Sequence, residues 1–419
     1  MPRQDVFQGS EQMTQGLLAK SFTGIAVKRL SRVEADINRS HQHEFNGVTN
    51  LKRILGEADR REIPTTFVWL GGEQEAISEE GFLSWYDSRR AHPTRSEYRL
   101  YFPTTEVSEL ASEGDTVFIA TCPGDTMMVI VTPANSAMES QLTWLFGVQD
   151  QLEINYEVKE IEGDIRGDAD FAVRFILEEL GLEPEEPETG HLDLMLDRFG
   201  GKLPSTTIFS EFARSTLEGV SGRDDPDAAL MLWMEQEEVL FRRMERHLVE
   251  DRLQAGFSGP DGADVNGFLK FSLGVQNRRK SRVGHALENH LAEIFRQTSV
   301  SFDRGAMTEN RSKPDFLFPG IEEYRDPSFP DARLTMLGAK TTCKDRWRQV
   351  LPEAERIQNK HLFTLEPGIS EHQTAEMQAM NLQLVIPQPL HSSYRPTQQE
   401  WLCSLGEFVL LAKSRELQA

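Results

Sequence analysis

The chain has 419 residues and a net charge of −22, with 38% hydrophobic and 27% charged residues. This length suggests two or three domains, and no run approaches the roughly 18 consecutive apolar residues of a membrane helix. The N-terminus lacks the apolar core of a secretory signal. Three cysteines, Cys122, Cys343 and Cys403, are too few and too scattered for a disulfide framework or a zinc site. We therefore expect a cytoplasmic protein.

The acidic balance disfavours a protein that coats nucleic acid through its whole surface. Binding at a specific DNA site stays open, because a cleft depends on local rather than net charge. The cations cluster in three runs, Lys28–Arg39, Arg89–Arg99 and Arg278–Arg282.

Residues 1–160 predict a mostly β domain. Short apolar runs separated by Gly, Pro and Asp occupy residues 24–27, 66–70, 116–120 and 127–131. A short helix is expected at Glu139–Val148. Many short strands with irregular loops favour a barrel or a sandwich.

Residues 161–200 are predicted to link two domains. The stretch from Leu182 to Glu188 combines four like charges with two prolines, which predicts an extended segment. The alternative is one long surface loop within a single domain.

Residues 201–419 predict an α/β domain with a mixed sheet. Apolar residues recur at helical spacing over Asp225–Ala255 and again over Ser281–Arg296. Strands and helices then alternate: strands at 314–319, 334–342, 361–365 and 382–387, helices near 345–359 and 370–380, and a terminal helix.

The candidate catalytic residues are Asp315, which opens an apolar strand, and Lys340 on the next strand. Hydrolysis of a phosphodiester uses hard oxygen ligands that hold Mg²⁺, and a lysine can orient the attacking water. A second carboxylate is missing two residues before the lysine, where Gly338 stands. Glu353 on the predicted next helix is the candidate replacement, and Glu288 is a further acidic partner. Turn chemistry and solvated surface charges are the alternative explanation for these residues.

The C-terminal half resembles the catalytic half of the EcoRII-type restriction endonucleases, over roughly 200 to the C-terminus. Four runs carry the similarity: Val275–Gly284, Lys313–Pro319, Ala339–Gln349 and His361–Leu365. The resemblance implies a PD-(D/E)xK nuclease core whose second carboxylate has moved from the strand to the following helix. It implies catalytic roles for Asp315, Lys340 and Glu353, an auxiliary role for Glu288, and Mg²⁺ held by Asp315 and Glu353.

Lys344, Asp345 and Arg346 are the candidate base-reading residues of this half. Arginine can pair with guanine and aspartate can accept from cytosine, whereas a charged helix start is the alternative. In the EcoRII-like and SsoII-like enzymes this triplet reads the outer CC/GG pairs. Phosphate contacts are expected from a basic run: Arg278, Arg279, Lys280 and Arg282.

The N-terminal half is similar to the effector-DNA domain of the same family, a β-pseudobarrel like the plant B-three domain. Four runs carry this similarity: Val27–Ser31, Ser40–Gln42, Trp85–Arg89 and Thr94–Arg99. The resemblance implies two arms that grip the major groove. The DNA-binding candidates are Lys28, Arg29, His41, Arg89, Arg95, Glu97 and Arg99, and an exposed charged loop is the alternative.

The sequence therefore predicts a two-domain, Mg²⁺-dependent type IIE restriction endonuclease of the bacterial cytoplasm. The resemblance implies a homodimer on double-stranded DNA at CCWGG, with a second site copy on the N-terminal domain that relieves autoinhibition. A DNA methyltransferase would be its functional partner without binding it. Two alternatives remain: a nuclease with a related target and no effector requirement, or a DNA-binding regulator with an inactive core.

Overall fold

The computed structural model describes residues 18, 21–35, 43–46, 48–71, 76–92, 94–148, 152, 155–161, 170–182, 191–259 and 262–417. These residues form two compact units. The first comprises 1–185, 367–373 and 392–396; the second comprises 186–366, 374–391 and 397–419. Within the described ranges, every helix is too short or too polar to cross a membrane.

The first unit is built on an eight-stranded sheet. Its strands are β1 (Gly24–Arg29), β2 (Glu44–Phe45), β3 (Arg60–Trp69), β4 (Ile77–Asp87), β5 (Tyr98–Tyr101), β6 (Thr116–Cys122), β7 (Thr126–Thr132) and β8 (Glu157–Glu160). They lie in the order β2-β5-β4-β3-β7-β6-β1-β8. Among the strands that the structure describes here, β3 and β7 pair in parallel and the other neighbours are antiparallel. A mixed sheet therefore supports this unit, and its closure into a pseudobarrel stays a prediction.

Within the described part of this unit, the sheet is accompanied by α1 (Arg32–Ala35), α2 (Lys52–Leu55), α3 (Glu106–Leu110), α4 (Ala137–Phe146) and α5 (Asp170–Glu179), with a 3-10 helix at Val48–Leu51. All four strands predicted from apolar runs are present. In contrast, β4 was not predicted from the sequence. Its first half alternates exposed and half-buried positions and includes the charged residues Glu79 and Glu80. Such a half-solvated strand has no continuous apolar run.

The predicted linker at 161–200 contains two helices, α5 and α6 (His191–Phe199). Ala172, Val173, Ile176 and Leu177 are buried, a helical spacing that the acidic composition hid. These parts of the predicted linker are therefore helical. The Pro/Glu stretch from 183 to 188 lies outside the described residues, and the domain boundaries stay a prediction.

The second unit contains a five-stranded mixed sheet, as predicted. Its strands are β11 (Asp303–Arg304), β12 (Phe316–Phe318), β13 (Thr335–Lys340), β14 (Lys360–Thr364) and β15 (Leu382–Val385), in that order across the sheet. β11, β12 and β13 are antiparallel neighbours, whereas β13, β14 and β15 run parallel. A separate hairpin pairs β9 (Ser258–Gly259) with β10 (Gly262–Ala263).

The helices of this unit are α6, α7 (Thr206–Ser215), α8 (Pro226–Ala255), α9 (Val265–Gln297), α10 (Ile321–Arg325), α11 (Glu371–Ala379), α12 (Pro396–Gln399) and α13 (Leu405–Leu417). Short 3-10 helices occur at Glu309–Arg311, Asp331–Arg333, Lys344–Val350 and Gln388–Ser393. α8 begins as predicted, with the Asp225 carboxylate accepting the Ala228 N–H at 3.0 Å. α9 begins at Val265, well before the predicted Ser281. The sequence did not reveal its first half, because that half is largely exposed and has no clear apolar stripe.

Candidate active site and DNA-binding residues

The sheet of the second unit brings Asp315 and Lys340 together. Asp315 directly precedes β12, and Lys340 ends the adjacent β13. Lys340 Nζ donates to Asp315 Oδ2 at 2.8 Å, and the Ala339 N–H donates to the same oxygen at 2.7 Å. The two side chains are 15% and 19% exposed. The pair is thus fixed by the backbone and still open to solvent.

Gly338 explains why the second carboxylate is absent from this strand. A Cβ at this position would lie 2.9 Å from Val350 Cγ2 and 3.2 Å from its Cγ1. Val350 is fully buried and ends the 3-10 helix that follows β13. Because Val350 occupies the space that a side chain at position 338 would need, an acidic residue has to come from elsewhere.

Glu353 lies next to this pair, but not on the helix that the sequence predicts. The segment after β13 forms only a 3-10 helix, Lys344–Val350. Pro352 has no N–H to extend the helical hydrogen bonds, and Ala354 adopts a positive φ of 48°. Glu353 therefore stands in a bend, where its N–H donates to the Val350 carbonyl at 3.1 Å.

The carboxyl group of Glu353 is electrostatically unusual. Burial raises its pKa to about 7, and the nearby charge of Asp315 adds to the rise, whereas Lys340 and Lys360 oppose it. Its Oε2 atom is buried without a hydrogen-bond partner among the described residues. A buried oxygen of this kind is costly unless something else satisfies it.

These groups fit a divalent cation of the Mg²⁺ type. Mg²⁺ is commonly held by one or two carboxylates and keeps several waters, and Asp315 and Glu353 supply two carboxylates, one with an unsatisfied oxygen. The described residues contain no cluster of three or more His, Cys, Asp or Glu side chains suited to a metal. The donor set therefore suits a cation that completes its shell with water and substrate.

Glu288 has a different environment from the one predicted. Its Oε2 atom accepts from Arg304 Nη2 at 2.6 Å and from Arg304 Nε at 3.1 Å. Arg304 also donates to Asn289 Oδ1 at 2.8 Å and pairs in β11 with Phe316, the residue after Asp315. The charge of Glu288 is therefore neutralised by Arg304, a residue that sequence reasoning missed because it stands outside any motif.

The basic run on α9 divides into exposed and structural residues. Arg278 and Lys280 are exposed. Arg279 Nε forms an ion pair with the fully buried Glu245 at 2.5 Å. Arg282 is only 8% exposed, which contradicts its predicted phosphate contact. Its guanidinium packs on the rings of Phe209 and Phe241, and burial lowers its pKa.

The triplet predicted to read bases begins the 3-10 helix after Lys340. Arg346 is exposed, and its N–H donates to the Cys343 carbonyl at 2.6 Å. The side chains of Lys344 and Asp345 lie outside the described residues. Cys343 is fully buried and burial raises the pKa of its thiol, so this cysteine packs in the core rather than acting as a nucleophile.

In the first unit, the first basic run serves the fold. Lys28 is 1% exposed and forms a 2.5 Å ion pair with Glu34. Arg29 pairs with Glu139 and donates to the hydroxyl of Thr116 at 2.6 Å. Both residues were predicted to contact DNA; burial of Lys28 and the internal partners of Arg29 contradict that prediction. His41 lies outside the described residues.

The second basic run has the opposite character. Arg89 and Arg99 are 47% and 41% exposed and flank Glu97, which forms an ion pair with each. Arg99 also pairs with Glu44 of β2 at 3.0 Å, and Arg95 is exposed. Glu44 could not be found from sequence, because β2 is only two residues long. The structure thus brings three of the candidate residues into one exposed cluster.

The loop that carries this cluster connects β4 to β5 and is internally braced. Asp87 Oδ1 accepts the N–H groups of Arg89 and Glu97 at 2.9 and 2.8 Å. These bonds, led by the one from Glu97 and joined by one from the Ser96 hydroxyl, lower the pKa of Asp87. A braced loop presents its arginines at lower entropic cost on binding.

Known proteins resemble this chain most clearly in its second unit. Residues 241–409 match the family model described as EcoRII C terminal. This part of the chain is similar to the EcoRII C-terminal family. The match spans α9, all five strands of the mixed sheet and the pair Asp315–Lys340, and it confirms the predicted resemblance for this part of the chain.

The type II restriction enzyme EcoRII of Escherichia coli is 37% identical over 230 residues, which cover 55% of this chain and 55% of that enzyme. The chain thus aligns with about half the length of this relative. Two solved structures overlap more loosely. Metal-depleted Ecl18kI with uncleaved, modified DNA has a TM-score of 0.44 at 16% identity, covering 53% of this chain and 82% of that one. The PspGI–substrate DNA complex has a TM-score of 0.43 at 14% identity, covering 51% and 93%.

Proposed function

We propose that this chain is a type II restriction endonuclease that cuts double-stranded DNA at a specific site. The observation that carries the proposal is the open Asp315–Lys340 pair, with the unsatisfied Glu353 oxygen beside it, within the part that matches the EcoRII C-terminal family. A purely DNA-binding protein has no need for a lysine, two carboxylates and an unsatisfied oxygen in one solvent-accessible cluster. We infer that Glu288 assists only through Arg304.

In this proposal Asp315 and Glu353 would hold Mg²⁺, which when bound would supply Lewis-acid polarisation of the scissile phosphodiester. Lys340 orients the attacking water and offsets the negative charge that develops on the phosphate. The hydrogen bond from the Ala339 N–H keeps the Asp315 carboxylate in place during the reaction. Hydrolysis leaves a 5′-phosphate on one product strand and a 3′-hydroxyl on the other.

The finer assignment concerns the site, and we propose CCWGG. Arg346 and its neighbours Lys344 and Asp345 would read the outer C·G pairs from the major groove, while Arg278 and Lys280 would contact phosphates. A near-palindrome is read most simply by a two-fold symmetric homodimer. The chain would act in the bacterial cytoplasm beside a methyltransferase that protects the host sites.

The first test is cleavage of short duplexes in Mg²⁺, one with CCWGG and others with one outer base pair changed. The proposal predicts a discrete cut in the CCWGG duplex alone, and an Asp315→Ala variant that is inert but still binds that duplex preferentially. Equal cleavage of every duplex would contradict a restriction enzyme. Specific binding without any cleavage by the wild-type chain would favour the DNA-binding regulator instead.

A second function is proposed for the first unit, because its exposed arginine cluster around Glu97 suits a groove of DNA. It would bind a second copy of the site as an effector, making the enzyme type IIE. Plasmids with one and two CCWGG sites test this directly. Faster cutting of the two-site plasmid, lost in an Arg89→Ala/Arg99→Ala variant, would support the effector role. Equal rates on both plasmids would leave a nuclease without an effector requirement.

A further inference from the structure

Glu366 is a buried carboxylate close to the candidate active site that the proposed mechanism does not use. It is 4% exposed and follows the end of β14, two residues after Thr364. Thr364 is the parallel partner of Lys340 in the sheet. Glu366 therefore lies beside the point where the chain leaves the catalytic lysine.

The contacts of Glu366 hold the turn that follows Lys340. Its Oε2 atom accepts the N–H of Cys343. On the same side, the Thr364 hydroxyl donates to the Thr341 carbonyl at 3.3 Å, and the Glu366 N–H donates to that hydroxyl at 3.2 Å. Residues at the end of β14 thus form hydrogen bonds to the turn at both Thr341 and Cys343.

A further hydrogen bond connects this turn to the candidate base-reading segment. The Cys343 carbonyl accepts the N–H of Arg346 at 2.6 Å. Two successive hydrogen bonds therefore connect the Glu366 carboxylate to the backbone of Arg346. The Cys343 side chain is fully buried, so the residue between them cannot shift independently.

The far end of the same segment is fixed by packing instead. Val350 fills the space above Gly338, and Glu353 follows three residues later. One stretch, 341–353, consequently carries both the triplet and the second carboxylate, and it is held at its start by Glu366.

We propose that Glu366 is a positioning residue that sets the register of the base-reading segment relative to Lys340, and thereby determines sequence discrimination. This inference rests on the proposed function. Without the Glu366 carboxylate, the Cys343 N–H loses its partner and the segment can relax. Arg346 then meets the outer base pairs in a looser geometry, while the cations that face phosphates stay in place.

The test is equilibrium binding by fluorescence anisotropy in EDTA, which does not depend on cleavage. The measured quantity is the ratio of affinities for a CCWGG duplex and for a duplex with one outer C·G pair changed. We expect Glu366→Ala to lower this ratio at least about tenfold, because a misplaced bidentate contact forfeits most of its discrimination. Affinity for the altered duplex should stay within about twofold of wild type.

Two further variants separate positioning from folding. Glu366→Gln keeps an oxygen acceptor at the same reach and should retain the ratio within about threefold, whereas Glu366→Asp is one methylene shorter and should lose it. If Glu366→Ala fails to fold, the difference in affinity ratio between Glu366→Gln and Glu366→Asp still tests the positioning role. The matched control is Asp227→Ala, which removes another buried carboxylate that accepts backbone N–H groups, from Gln388, Leu405 and Gly406. It should lower the melting temperature and leave the ratio unchanged.

The outcomes are distinguishable. A wild-type chain that discriminates, with a ratio that Glu366→Ala or Glu366→Asp leaves intact, overturns the positioning role alone. A wild-type chain without any preference between the two duplexes overturns the proposed function and this inference with it. A ratio that falls equally in Asp227→Ala overturns the positioning role, because loss of stability would then explain the effect.

Discussion

Two lysine–carboxylate pairs at the ends of strands show how differently one pattern can be used. Lys28 at the end of β1 pairs with Glu34 at 2.5 Å, and both side chains are at most 1% exposed. Lys340 at the end of β13 pairs with Asp315 at 2.8 Å, and both remain 15–19% exposed. The first pair is sealed inside the fold, whereas the second is accessible to a substrate.

The partners of each pair reinforce the contrast. Glu34 also accepts the N–H groups of Ser31 and Asn46 at 2.9 and 2.6 Å, so its oxygens are satisfied. Burial lowers the pKa of Lys28, and Glu34 opposes that shift. Beside Lys340, in contrast, a Glu353 oxygen lacks a partner among the described residues. A satisfied pair serves stability, while an open pair with spare binding capacity is suited to chemistry.

The largest expected effect is on stability, from Lys28→Ala. Removing one partner of a buried pair leaves an uncompensated charge and should lower the free energy of unfolding by about 3–5 kcal/mol. Denaturant titration measures this loss. A Lys28→Met/Glu34→Gln double variant removes both charges, keeps an oxygen acceptor at position 34 for the Ser31 and Asn46 N–H groups, and should recover part of it. A loss below about 1 kcal/mol, the range of surface pairs, would mean that the pair is not sealed.

The next largest effect is the pH dependence that Glu353 contributes to the free energy of unfolding. Its pKa is about 7 in the folded chain and 4.5 ordinarily, so the folded state binds this proton more tightly than the unfolded state. The resulting stabilisation is fully present below about pH 4.5 and is lost as the pH rises through about 7. It amounts to at most about 3 kcal/mol.

Glu353→Gln should remove this dependence. Free energies of unfolding measured in EDTA between about pH 4.5 and 8 should fall more steeply for wild type than for the variant. Glu355→Gln, which changes an exposed neighbour, serves as the control and should follow wild type. Identical slopes for wild type and Glu353→Gln would show that Glu353 is solvated rather than held in the cluster.

A smaller loss of stability is expected when a carboxylate is placed at position 338 of β13. Gly338→Asp places a Cβ 2.9 Å from Val350, and overpacking of this kind costs about 1–3 kcal/mol. Thermal unfolding should show the loss, and Gly338→Asp/Val350→Ala should recover part of it by removing the clashing methyl groups. A fully stable Gly338→Asp variant would show that the absent carboxylate has no steric cause.

The smallest effect concerns the first unit. Arg89→Ala or Arg99→Ala should weaken binding of the second CCWGG duplex, the one proposed to bind the first unit, about tenfold, since each removes one exposed cation from that surface. The readout is the affinity of the second binding step when an Asp315→Ala chain, which cannot cleave, is titrated with the duplex. Arg60→Ala removes an arginine paired with Asp125 elsewhere in this unit and should leave affinity unchanged. An equal loss in Arg60→Ala would point to general charge rather than to this cluster.

The sequence predicted the core of the second unit because local patterns there agree with tertiary packing. Phe316–Phe318 and Thr335–Lys340 are apolar runs that are almost wholly buried, and antiparallel neighbours bring Asp315 beside Lys340. The helix expected at 345–359 was wrong, because Pro352 and the positive φ of Ala354 limit it to a 3-10 turn. Glu353 nevertheless lies near Asp315, since Val350 anchors the segment over Gly338.

Charge proved harder to interpret than hydrophobicity. Arg278 and Arg282 stand four residues apart on one helix, yet the first is exposed and the second lies between two phenylalanine rings. A basic run in sequence does not reveal which of its members face inward, because that depends on partners from distant elements. Glu245, which neutralises Arg279 from a separate helix, is such a partner.

The most direct test is to compare Lys340→Ala and Lys28→Ala on one CCWGG duplex in Mg²⁺, with cleavage expressed per folded molecule. We predict that Lys340→Ala folds with nearly wild-type stability and loses cleavage by about 10²–10³-fold or more. Lys28→Ala should be far less stable but cleave normally once folded. Normal cleavage by folded Lys340→Ala would contradict the assignment of the open pair as the catalytic centre.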